Sequence, residues 1–177
     1  SHLKDKRVSS KGLELAQFLV DICRKKGLHV TGTDMTDEPN GAYNVITLFD
    51  VLEHLLEPVK FLKDAKRKLA NGGYVLAYVP HIHSLAYHLM GEYQNTLAPF
   101  QHFYFFDEKS LRYLARASGL KIYSIDYYGL DLMDYFYMKE DKDPISYHKR
   151  LSDIIPILQA IVDKQKLSNH MRVIFKK

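Results

Sequence analysis

From Tyr43 to Pro80 the chain runs YNVITLFDVLEHLLEPVKFLKDAKRKLANGGYVLAYVP without a break, and this stretch constrains the fold more than any other. Val45-Ile46-Thr47-Leu48-Phe49 is a short apolar, β-branched run that predicts a strand covered on both faces. Pro58 suits the first turn of a helix, where its missing N–H costs nothing. Val59, Leu62, Ala65 and Leu69 recur at helical spacing, with Lys60, Lys63, Lys66 and Arg67 largely outside that stripe. Asn71-Gly72-Gly73 supplies residues that end a helix, and Tyr74 to Val79 reads as a second strand. Strand, crossover helix and strand in so few residues make a βαβ unit of a parallel sheet. Ligands of such sheets sit at the carboxyl ends of the strands. Those ends carry Phe49-Asp50-Val51-Leu52-Glu53-His54 and Pro80-His81-Ile82-His83.

The flanking segments extend this pattern. Leu13, Leu15, Ala16, Leu19, Ile22 and Cys23 predict a helix stopped by Gly27, and His29 to Asp34 a short strand ending in a carboxylate. Lys6-Arg7-Val8 would open a strand before that helix. Asp107 is placed to cap a helix over 108–117 closed by Gly119. Leu120 to Tyr127 and Met171 to Phe175 predict strands, with a helical stretch over 145–166 interrupted near Pro156.

FDVLEHLLEPVKFLKDAKRKLANGGYVLAYVP closely resembles the central region of class I S-adenosylmethionine-dependent methyltransferases, nearest to the small-molecule group that includes the ubiquinone-biosynthesis O-methyltransferases. Gln101 to Asp107, followed by Leu111, Leu114 and Ser118-Gly119-Leu120, is similar to the family's later helix. The match runs over about residues 6–126. The resemblance implies a Rossmann-like α/β fold: a mostly parallel sheet with an antiparallel last strand and helices on both faces. One domain would span 1–177, with 130–168 a helical insertion on the substrate side.

It also implies S-adenosylmethionine as cofactor and a small-molecule acceptor methylated at oxygen or nitrogen. Asp34 would take the ribose hydroxyls and Met35 the adenine. Ser9, Ser10 and Gly12 would be what remains of the glycine turn that approaches the methionine carboxylate before a helix. Phe49 and Asp50 would line the pocket around the methionyl group. His54, beside Glu53, and His102 are the candidate bases, since imidazole takes a proton near neutral pH. Two departures stand out. Only Gly12 remains of a G-x-G-x-G turn, and eight residues separate Asp34 from Tyr43, where a βαβ crossover alone needs about a dozen. Both deficits fall on segments that line the cofactor pocket. They leave open a catalytically inactive, methyltransferase-like partner module.

Composition bounds the alternatives. A net charge of +4 spread over 177 residues forms no concentrated basic stripe, which argues against a nucleic-acid partner. No run of eighteen apolar residues predicts a membrane span. The single cysteine, Cys23, fits a reducing cytoplasm and reads as a buried, inert thiol. His81-x-His83 has metal-ligand spacing, but no carboxylate or thiol beside it in sequence completes a shell, so no metal is expected.

Overall fold

The computed structural model describes residues 8–98, 100–141 and 143–177. Its centre is a four-stranded mixed sheet in the order β3 (Tyr43–Phe49), β4 (Leu69–Pro80), β6 (His170–Lys176), β5 (Lys121–Tyr127). β3 and β4 are parallel, and β6 runs antiparallel to both its neighbours. The expected late antiparallel strand is therefore present, and it brings the start of β6 to the edge where β3 and β4 end.

Between β3 and β4 lies α2 (Pro58–Lys68), with Pro58 in its first turn as the sequence predicts. Leu62 and Ala65 are fully buried on its inner face, and the chain re-enters the sheet at Leu69. A side chain at Gly73 would lie 3.0 Å from the carbonyl oxygens of Ala70 and Asn44, so this close approach requires glycine. α4 (Glu108–Ser118) packs beside α2. Asp107 caps it by accepting the Ser110 N–H, and Gly119 closes it with φ 73°. Val75, Val79, Val173 and Phe175 complete a core that α2 and α4 cover.

The amino-terminal part is organised separately. β1 (Gly12–Leu13) pairs parallel with β2 (Val30–Thr31), and the two make a sheet of their own around α1 (Gln17–Lys25). Three expectations fail here. Leu13 lies in a strand rather than a helix. The apolar face of α1 is largely exposed, with Phe18 66% and Ile22 45% accessible. Cys23 is half-buried rather than buried. Lys6 and Arg7 of the expected first strand lie outside the described residues, and Val8 is exposed.

From β2 the chain passes through a 3-10 turn at Met35–Asp37 directly into β3. β3 is consequently an edge strand of its sheet. Val45 and Phe49 are more than half exposed, so β3 is covered on one face and not on both.

The remaining helices, α3 (Leu85–Met90), α5 (Asp131–Glu140), α6 (Tyr147–Arg150) and α7 (Ile155–Lys164), lie beyond the carboxyl ends of β4 and β5 in chain order. Among the described residues no helix is long and apolar enough to cross a membrane.

Candidate active site

Five chemistry-bearing segments meet at the carboxyl edge of β3 and β4. At the end of β3, Asp50 adopts φ 52°, a left-handed conformation that costs a non-glycine residue on the order of 1–3 kcal/mol. Its N–H is tied to the Tyr78 carbonyl at 3.1 Å, which holds the turn against β4. A 3-10 turn follows over Leu52–His54. Leu52 anchors it in the core, and Glu53 is fully buried behind it. Among the described residues no other residue hydrogen-bonds either Glu53 carboxylate oxygen, and burial pushes the carboxyl up to about 7, against the pull of its own backbone N–H.

The loop before α4 is laced onto this turn. The Glu53 carbonyl accepts the Phe103 N–H at 2.8 Å. His54 Nδ1 lies 2.8 Å from the Gln101 carbonyl and His102 Nδ1 2.9 Å from the Thr96 carbonyl. A carbonyl only accepts, so each ring carries its proton on Nδ1 and presents a lone pair at Nε2. The two rings stand 4.7 Å apart, edge to face. Folding thus brings together two residues 48 positions apart in sequence.

At the start of β6, His170 stacks flat on Tyr78 at 4.5 Å, with Nδ1 3.0 Å from Asn169 Oδ1 and Nε2 3.8 Å from Asp50 Oδ1. Burial holds its pKa below the ordinary histidine value, against the pull of Asp50. Asn169 is held in turn. Its backbone N–H donates to Asp131 and its Nδ2 to Asp134. Asp131, fully buried at the first turn of α5, also accepts the Ala86 N–H at 3.0 Å and Gln159 Nε2 at 3.0 Å. His81 is buried under the same edge, with Nδ1 2.9 Å from the Ser168 carbonyl, and burial lowers its pKa.

Sequence reasoning missed Asn169 and His170. The signal was topological: a last strand running antiparallel must begin where β3 and β4 end.

The amino-terminal candidates are placed differently. Gly12 is not in a turn before a helix. Its N–H donates to the His29 carbonyl at 2.9 Å, within the β1–β2 ladder. Ser9 and Ser10 precede β1, at the end opposite its junction with α1, because Leu13 packs on the core and draws the strand in one step later. That junction is Glu14-Leu15-Ala16, where Glu14 Oε1 accepts the Ala16 N–H at 2.8 Å.

Asp34 caps the following 3-10 turn: Oδ1 accepts both the Thr36 N–H and hydroxyl at 2.8 Å, which lowers its pKa. Met35 is buried in the core against α2, so its side chain is not free to meet a ligand. The turn is held by Lys68, which donates to the Thr36 and Glu38 carbonyls, and by the buried Glu38, which accepts from Lys11 and Tyr43.

A parallel pair with a crossover helix, a late antiparallel strand and a polar carboxyl edge define an α/β enzyme of the Rossmann-like class. The methyltransferase-domain family model matches residues 4–125, and the chain belongs to that family. It is a class I enzyme that uses S-adenosylmethionine as cofactor.

The fold is shared with several solved structures. An S-adenosylmethionine-dependent methyltransferase from Archaeoglobus fulgidus is 18% identical, with TM-score 0.65 over 99% of this chain and 79% of that one. The putative methyltransferase of Haloferax volcanii, solved in complex with the Trm112 methyltransferase activator, is 16% identical, with TM-score 0.67 over 99% and 75%. A possible histamine N-methyltransferase from Thermotoga maritima is 16% identical, with TM-score 0.63 over 94% and 72%. The comparison with curated proteins gives no match.

Proposed function

We propose that this methyltransferase acts on an oxygen or nitrogen of a small molecule held at the carboxyl edge of β3 and β4. The observation that carries this reading is the convergence of His54 and His102, rings edge to face and each with Nδ1 committed to a backbone carbonyl. Their Nε2 lone pairs would take the proton that the acceptor loses.

The donor set fits the cofactor in part. Asp34 spends one oxygen on Thr36 and keeps the other for a ribose hydroxyl, while its side chain stays exposed. The exposed Phe49 and the neighbouring Asp50 would flank the methionyl end. Gly12 lies in the β1–β2 ladder, Met35 in the core, and Ser9 and Ser10 precede β1, so these four are left out of this set. The bound cofactor supplies an electrophilic methyl on a sulfonium. The chain's own residues orient the acceptor and remove its proton, so rate would come chiefly from proximity and one base. The buried Asp131–Asn169 network fixes the opposite wall of the cleft.

A second reading, an inactive module that binds a partner, is favoured by one feature: the β1–α1 turn, Glu14-Leu15-Ala16, contains no glycine. Calorimetric titration with S-adenosylhomocysteine separates the two. Binding on the order of micromolar that Asp34→Ala abolishes supports the enzyme. No binding by a folded protein supports the module.

A further inference from the structure

The chemistry of Glu53 is not used in the reading above. It is fully buried, and among the described residues no other residue hydrogen-bonds either of its oxygens. Leaving a buried polar group unpaired costs roughly 1–3 kcal/mol, and more for a charge. Such a group persists where something outside the chain satisfies it.

The geometry names what that is. One carboxylate oxygen of Glu53 and one ring nitrogen each of His54 and His102 lie within 4.8 Å of one another. Both imidazoles hold Nδ1–H against a backbone carbonyl, which is the outer-shell bond that orients metal-ligating histidines and directs Nε2 toward the ion.

We propose that Glu53, His54 and His102 form a binding site for a first-row divalent cation of the zinc type. Two imidazoles and one carboxylate match the ligand set of open zinc sites, which keep a further position for water or substrate. Bound at about 2.0–2.1 Å, the three ligand atoms would close to roughly 3.3 Å of one another. His54 is exposed and His102 half-buried, so both rings have room to turn by that amount. Glu53 is the fixed ligand, anchored between Leu52 in the core and the Phe103 N–H on its carbonyl.

This inference goes beyond methyl transfer and does not need it. An Nε2 that coordinates a cation cannot accept a proton, so occupancy would turn His54 and His102 from bases into ligands.

The test is titration of chelator-stripped protein with zinc chloride by calorimetry, and with cobalt chloride followed by visible absorption. Wild type is expected to take up one equivalent and, with cobalt, to develop d–d bands of a four- or five-coordinate site. His102→Ala and Glu53→Gln should each weaken binding by about 100-fold or more, while His83→Ala leaves it unchanged. Should Glu53→Gln fail to fold by circular dichroism, His102→Ala decides alone. Absence of saturable binding, or binding indifferent to His102→Ala, overturns the proposal. Neither cofactor nor acceptor enters the measurement, so its failure is distinct from failure of the S-adenosylhomocysteine titration.

Discussion

Two βα units of this chain are built from similar local parts and end up with different support. In the central unit, β3–α2–β4, α2 buries Leu62 and Ala65 completely and shares a core with α4 and the valines of β4 and β6. In the amino-terminal unit, β1–α1–β2, α1 is as amphipathic in sequence, yet Phe18, Leu19 and Ile22 are exposed and Val20 alone of its residues is fully buried. Each of its strands pairs over two residues, whereas β4 pairs with β6 over seven. An amphipathic pattern states that a helix has something to bury. Only the neighbouring elements decide whether it is buried, and here the short passage from Asp34 to Tyr43 leaves β3 at a sheet edge and α1 without a second partner.

The largest effect should come from the central core. Phe175→Ala removes a fully buried ring from β6 and is expected to cost about 3–5 kcal/mol in denaturant unfolding. A much smaller loss would mean the central sheet is as loosely supported as the amino-terminal one. Next is Asp131→Ala, which leaves the Ala86 and Asn169 N–H groups without their acceptor, removes one of the two acceptors of Gln159 Nε2, and should cost about 2–4 kcal/mol.

Glu108 sharpens the comparison through pH. Its hydrogen bond to Lys166, helped by Arg112 and Tyr127, outweighs burial and lowers its carboxyl to about 2. A folded-state pKa below the unfolded one gives stability that is present above pH 4.5 and is lost as pH falls toward 2. Lys166→Met should flatten the stability profile in that window by about 1 kcal/mol, the side chain being part-exposed.

The two caps follow. Asp107→Ala frees the first turn of an eleven-residue helix and should cost about 1 kcal/mol. Asp34→Ala frees only a three-residue turn and should cost less, while abolishing S-adenosylhomocysteine binding. Phe18→Ser is expected to change stability by less than about 0.5 kcal/mol. A loss beyond 2 kcal/mol would show that α1 is packed in solution.

Much of the central unit was legible because local rules suffice there. Pro58, the Val59–Ala65 stripe, Asp107 and Gly119 each act within a turn or two of themselves, and periodicity reports them, whereas Leu69 to Gly73, expected to close the helix, belong to β4 because the chain re-enters the sheet there. The cleft was less legible. His54 and His102 were singled out separately, on residue type and position, and nothing in either neighbourhood says that the rings touch. Asn169 and His170 read as an unremarkable approach to a strand. Their role depends on β6 running antiparallel beside β4, which places them against Tyr78 and Asp50.

Sequence alone therefore determined the βαβ unit, the α/β class, the caps and the family, since these follow from spacing along the chain. Tertiary structure decided that Leu13 belongs to a strand and Met35 to the core. It also decided that Glu53 is buried with no other residue to pair with among the described ones, and that His54, His102 and His170 come to the edge where β3 ends. These are properties of the distance between residues remote in sequence, and burial, tautomer and proton affinity are set by what lies a few ångströms away.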